Sequence, residues 1–64
     1  MVKVNGEIID ASGKSIAELL EDMNCPVGRV AVELNEAIVP KSTYGETILK
    51  NGDSVEIVRF VGGG

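Results

Sequence analysis

Two places in the chain hold residues that could take part in chemistry: Cys25, its single cysteine, and the closing run Gly62-Gly63-Gly64. The sequence has no histidine, so Cys25 lacks a ring base to draw off its proton, and the nearby carboxylates of Glu21 and Asp22 disfavour a thiolate. Beside Pro26 the cysteine reads as inert. The remaining carboxylates are scattered over turns and one helix face, which leaves no general base, nucleophile dyad or metal-ligand cluster. Gly13-Lys14-Ser15 imitates the end of a phosphate-binding loop, but Ile8 stands where that motif requires its first glycine. It reads as a loop entering a helix cap, and the chain as a whole reads as a non-enzyme.

The glycine run offers different chemistry. Residues without Cβ form a thread narrow enough to enter a channel in another protein and free enough to present its end there. Gly62 and Gly63 would be the thread, and the group presented is the α-carboxylate of Gly64. With a reference pKa of about 3.5, that carboxylate is ionised at neutral pH and is a poor acyl acceptor. Attack on the α-phosphate of ATP would turn it into an acyl adenylate, from which a sulfur or amine nucleophile could take the acyl group. The chain would then be a substrate and carrier, with catalysis supplied elsewhere.

A body must hold that tail. The chain has 64 residues, enough for one small core in a domain over residues 1–61, with residues 62–64 as a flexible tail. Val2 and Val4 alternate around Lys3, and Asn5-Gly6 suits a type I′ turn, so the chain opens with a β-hairpin that returns through Ile8 and Ile9. Ser15 and Glu18 have capping-box spacing. From there Ile16, Leu19, Leu20 and Met23 form one apolar stripe, with Glu18, Glu21 and Asp22 toward solvent, until Asn24 and Pro26 stop the helix.

Val30, Val32 and Leu34 alternate as a half-buried strand ending at Asn35-Glu36, and Ala37-Ile38-Val39 is a short strand closed by Pro40. Residues 41–49 have no clean period, although Tyr44, Ile48 and Leu49 suit a 3₁₀ turn held against the core. After the turn Asn51-Gly52-Asp53, residues 54–61 form the longest strand candidate, long enough to lie centrally. The order β-β-α-β-β-β predicts an α+β fold: a mixed four- to five-stranded sheet with one helix on one face and the other face open. Val2, Val4, Leu19, Leu20, Val30, Val32, Leu34, Val55 and Ile57 should form the core. Alternation puts Val58 and Phe60 on the open face just before the tail, as a partner-binding patch.

Composition narrows the partners. Ten acidic against six basic residues give a formal charge of −4, and no cationic cluster is visible in the sequence, which argues against nucleic acid and for a basic protein surface. The longest apolar runs, Val30-Ala31-Val32 and Ala37-Ile38-Val39, are far short of the roughly 20 residues a membrane helix needs. A lone cysteine and an opening that goes straight into strand pattern, with Val2 excluding myristoylation, point to a reduced, cytoplasmic setting without membrane attachment.

This element order, the Asn5-Gly6 turn, the helix Ile16-Ala17-Glu18-Leu19-Leu20, the segments Val32-Glu33-Leu34-Asn35 and Ile38-Val39-Pro40, the final strand Val55-Glu56-Ile57-Val58-Arg59-Phe60 and the terminal Gly63-Gly64 together resemble the ubiquitin-like β-grasp sulfur carriers. The similarity spans the whole chain and is greatest to the ThiS family of thiamine biosynthesis, within the MoaD/ThiS superfamily. The resemblance implies that an E1-like, ThiF-type adenylyltransferase, using ATP and Mg²⁺, activates the carboxylate matching Gly64, with no cofactor held stably by the carrier itself. A cysteine desulfurase or other sulfur donor then supplies the sulfur of a thiocarboxylate, which a ThiG-type thiazole synthase builds into the thiazole ring of thiamine. Val58 and Phe60 would belong to the surface both partners read. The chain departs from the family pattern in ending on three glycines rather than a bare pair. Small subunits of molybdopterin synthase share the fold, tail and adenylation chemistry but are typically longer, and the short connections here favour the thiamine carrier. A ubiquitin-like protein modifier, or a non-catalytic docking domain with a dispensable tail, stand as alternatives.

Overall fold

The computed structural model describes residues 1–60; the expected thread Gly62-Gly63 and the candidate modified residue Gly64 lie outside the described residues. The Asn5-Gly6 turn has φ of 49° and 86° at its two positions, as a type I′ turn requires. It joins β1 (Val2–Val4) to β2 (Glu7–Ile9) in an antiparallel hairpin. Further along come α1 (Ile16–Asp22), a 3₁₀ turn at Val27–Arg29, β3 (Val30–Leu34), β4 (Ala37–Ile38), a second 3₁₀ turn at Lys41–Thr43, and β5 (Ser54–Arg59). The strands form one mixed sheet in the order β2-β1-β5-β3-β4. Six residues long, β5 lies at its centre, parallel to β1 and antiparallel to β3. The described residues bear out the expected α+β architecture. No helix among them is long and apolar enough to cross a membrane.

α1 is only seven residues long, too short to persist on propensity alone, and its ends are held from outside. At the N-terminus the capping box is complete: Ser15 Oγ accepts from the Glu18 N–H at 3.1 Å, and Glu18 Oε1 accepts from the Ser15 N–H at 2.8 Å. The next two N–H groups, of Ile16 and Ala17, donate to the carbonyls of Thr47 and Tyr44, both at 3.0 Å. So the stretch without sequence period is what finishes the helix, and Leu49 locks it by donating to the Lys14 carbonyl at 2.8 Å. At the C-terminus Asn24 takes the left-handed conformation, φ 56°, and the N–H groups of Asn24 and Cys25 turn back to the carbonyls of Glu21 and Leu20. This is a Schellman closure with asparagine in glycine's usual place.

The core lies between α1 and one face of the sheet: Val2, Val4, Ala11, Ile16, Leu19, Leu20, Val30, Val32, Tyr44, Leu49, Val55 and Ile57 are buried. Burying each of the larger side chains contributes about 1.5–3 kcal/mol. Three expectations are corrected. Leu34 packs at the margin rather than inside. Met23 is the helix C-cap, already turned out of the stripe, and is 37% exposed. Ile48 is 47% exposed, because the backbone at Ser15 and Ile48 meets in an isolated antiparallel bridge that leaves Leu49 and Tyr44 to fill the core.

Candidate functional site

The site is assembled at the end of β5, where the described residues stop. Strand alternation buries Val55 and Ile57 beneath the helix and turns Glu56 and Val58 to the opposite face. Val58 and Phe60 are both more than half exposed, and Ala31 of β3 is Val58's cross-strand neighbour. Lys3, Ile8, Glu33 and Ile38 share that open face, since each pairs directly across the sheet with another of its residues. Apolar positions therefore recur there, with Ile8 and Ile38 also exposed.

The last described residues are fixed by backbone as well as by strand pairing. The Phe60 N–H donates to the Arg29 carbonyl at 2.9 Å, one step beyond the Val30–Arg59 rung of the β3–β5 ladder. Arg59, on the helix side of the strand, sends Nη2 to the Asn24 carbonyl at 3.0 Å, a favourable place for a cation because the helix C-terminus carries partial negative charge. Phe60 separates two recesses. One is lined by Pro26, Arg29, Arg59 and Phe60; the other is mainly apolar, with Ala31, Ile38, Val39, Pro40 and Lys41 among its walls. Lys41 holds its Nζ 5.9 Å from the centroid of the Phe60 ring, within cation–π range.

Charge is patterned across the open face. Glu33 and Glu56 stand opposite one another on β3 and β5, and with Lys3 and Glu36 they line a polar groove toward the other end of the sheet. Beside it, Asn35 Nδ2 donates to Asp53 Oδ1 at 3.1 Å and the Lys50 N–H donates to Asp53 Oδ2 at 2.8 Å. These two hydrogen bonds hold the Asp53 carboxyl below its ordinary pKa. On the helix side, Lys14 is raised by its hydrogen bond to Asp22.

Cys25 is a half-buried free thiol whose Sγ lies 3.6 Å from Arg59 Nη2. Among the described residues no three His, Cys, Asp or Glu side chains gather to hold a metal ion. Gly13-Lys14-Ser15 is a turn, with Gly13 at φ 90°, running into the Ser15 cap. What the geometry provides is a central strand paired on both sides and an exposed aromatic just past its end. Of the sequence-derived site residues, the structure places Val58 and Phe60 two apart at that end. Sequence reasoning overlooked Arg29, Lys41 and Arg59, which it also brings there. No periodic signal could have found them, since each comes from a different element.

Comparison with known proteins gives consistent results. The model of the ThiS family matches residues 2–64. A sulfur carrier protein ThiS from Thermus thermophilus is 39% identical over 64 residues, covering 100% of both chains. A thiazole synthase from Magnetococcus marinus is 39% identical over 64 residues, which are 98% of this chain but 20% of that protein, so the chain spans about a fifth of such relatives. The crystal structure of the thiamine biosynthesis protein ThiS from Geobacter metallireducens superposes with a TM-score of 0.79 at 34% identity, covering 98% of this chain and 97% of that one. That likeness confirms the β-grasp architecture.

Proposed function

The chain belongs to the ThiS family, and from that premise we propose that it is a sulfur carrier of thiamine biosynthesis, loaded at the carboxylate of Gly64. The observation that carries the reading is the family match, which runs through the β-grasp body and on to the last glycine. The described geometry supports it: a central strand clamped on both sides is a firm base from which to offer a narrow tail.

In the proposed cycle an adenylyltransferase binds ATP and Mg²⁺. A Gly64 carboxylate oxygen attacks the α-phosphorus, pyrophosphate leaves, and an acyl adenylate forms. A persulfide from a cysteine desulfurase or another donor attacks the acyl carbon and expels AMP. A thiol then cleaves the sulfur–sulfur bond, leaving the thiocarboxylate on Gly64. Gly62 and Gly63 pass through the partner's channel, while Val58 and Phe60 rest against its mouth. Thiazole synthase is the proposed recipient; the Magnetococcus marinus protein, which carries a similar segment within a thiazole synthase, supports that partner. The carrier contributes no acid, base or metal ligand to these steps. Its part is to position an atom group.

The test is intact-mass measurement after incubation with ATP, magnesium, cysteine, a desulfurase and a ThiF-type adenylyltransferase, with C-terminal fragmentation. The expected result is one oxygen replaced by sulfur, confined to Gly64. Deletion of residues 62–64, which removes the whole glycine end, should abolish the change and leave the melting temperature untouched. No mass change with adenylyltransferases shown to be active on their own carriers would overturn the reading.

A further inference from the structure

The chain is acidic overall, yet three of its six basic residues, Arg29, Lys41 and Arg59, converge on Phe60 from three elements. Arg29 closes the first 3₁₀ turn, Lys41 opens the second, and Arg59 ends β5. Arg29 and Arg59 line one recess with Phe60, of about 380 Å³, and Lys41 sits over the Phe60 ring from the other side. None of the three pairs with a carboxylate among the described residues, where the one ion pair joins Lys14 to Asp22. Arg59 spends one guanidinium nitrogen on the Asn24 carbonyl; the Arg29 side chain makes no hydrogen bond among the described residues. Guanidinium groups suit carboxylates and phosphates because their donors form a planar fork. A collar of cations around the root of the tail is thus a recognition surface of a sign opposite to the molecule's net charge.

We propose that Arg29, Lys41 and Arg59 dock against carboxylates rimming the channel of the protein that receives the tail. Length of chain decides between such carboxylates and the phosphates of a nucleotide. Four residues follow Phe60, and extended through a channel they place the Gly64 carboxylate about 13–14 Å beyond it. The reacting phosphate lies at that far end, out of reach of an arginine at the root; what faces the collar is the protein surface at the channel mouth. Glu33 and Glu56, opposed on the open face that Val58 shares, give the docking surface two signs and hence a single favourable orientation.

This inference rests on the carrier reading, and its test separates the two. Association of the full chain with the adenylyltransferase that modifies it is followed at about 20 mM and 500 mM salt, alongside thiocarboxylate formation by mass. Arg29→Glu is the main variant, because its side chain is exposed and makes no hydrogen bond among the described residues; Lys41→Glu is the second, and Lys50→Glu, an identical charge change at the distant Asp53 turn, is the control. The expected result is an association rate about tenfold lower for Arg29→Glu and Lys41→Glu at low salt, a difference that shrinks at high salt as the Debye length contracts. Lys50→Glu should stay within about twofold of the parent, as expected for a charge remote from the contact. Equal losses in all three variants would reduce the effect to net charge and overturn the collar. Unchanged association with a raised KM for ATP in Arg29→Glu would overturn it in favour of a phosphate contact. If the parent chain is modified normally and Arg29→Glu and Lys41→Glu associate at its rate, the collar alone fails. A parent chain that is neither bound nor modified removes the carrier reading and the collar together.

Discussion

Asn5 holds the backbone of Ile57 at both of its polar groups: Oδ1 accepts from the Ile57 N–H at 2.7 Å, and Nδ2 donates to the Ile57 carbonyl at 3.3 Å. β1 ends at Val4, so the parallel β1–β5 ladder would stop while β5 continues toward the exit. The amide side chain supplies the next rung. Asn5 does so from a left-handed backbone, φ 49°, which asparagine tolerates and alanine does not. Asn5→Ala should therefore cost about 2–3 kcal/mol, combining two lost hydrogen bonds with backbone strain. Asn5→Asp keeps the acceptor and the backbone tolerance and should cost less. Urea unfolding of the two variants checks this; a loss of only about 1 kcal/mol in Asn5→Ala, the backbone strain alone, with none in Asn5→Asp would mean that the grip on Ile57 contributes nothing.

The second prediction concerns Ser15, which is buried, caps α1 and meets Ile48 across an isolated bridge. Ser15→Ala removes one side-chain acceptor and should cost about 1 kcal/mol. In a domain of this size that lowers the melting temperature by roughly 4–8 °C. Helical circular dichroism below the transition should be unchanged, because Ile16 and Ala17 keep their bonds to the Thr47 and Tyr44 carbonyls. A loss of helical signal at low temperature would show that the cap, and not those tertiary bonds, holds the helix.

Asn5, Ser15 and Tyr44 show what the sequence made legible. The Asn5-Gly6 turn, the capping box and the long final strand were readable because each is a local rule, satisfied by neighbours in the chain. The grip of Asn5 on Ile57 was hidden because its turn role already explained the residue, and nothing local marks a partner 52 positions away. Residues 41–49 were obscure for the same reason: their carbonyls are spent on the helix N-terminus and on Gly13, an aperiodic task that leaves no alternation behind. Ile48 was misplaced because in such a segment burial follows the tertiary bonds and not a pattern. At the site, Val58 and Phe60 could be read from strand parity. Arg29, Lys41 and Arg59 could not, since their convergence exists only once β3, β5 and the two 3₁₀ turns are packed.

Acid stability should depend on Asp53. Asn35 and the Lys50 N–H stabilise its ionised form, so its folded pKa lies below the unfolded one. The folded state then binds this proton less readily than the unfolded state. The stabilisation is complete above the unfolded value of about 3.9 and is lost as pH falls through that value toward the lower folded one. Asp53→Asn removes the ionisation. Its melting temperature should lie below the parent's at pH 7, and the gap should narrow as pH falls below the unfolded value. A gap that stays constant as pH falls would show that the carboxylate charge adds nothing beyond the hydrogen bonds an amide can also accept.

Phe60 offers the cleanest separation of docking from folding. The residue is 54% exposed, whereas what ties its position to the body is a backbone bond, from its N–H to the Arg29 carbonyl, which survives any side chain but proline. Phe60→Glu should therefore change unfolding free energy by no more than about 0.5 kcal/mol, as for surface substitutions generally. Its effect on association should be much larger. An exposed aromatic between two recesses, with Lys41 against its face, has the features of an interface anchor, where most of the binding free energy concentrates. A carboxylate there would also face whatever acidic groups meet the cationic collar. Affinity for the adenylyltransferase should fall at least tenfold, about 1.4 kcal/mol. Phe60→Leu, which keeps apolar area but gives up the ring, should fall between the two. Full affinity in Phe60→Glu with normal thiocarboxylate formation would take Phe60 out of the docking surface and leave Val58 and the collar to account for it.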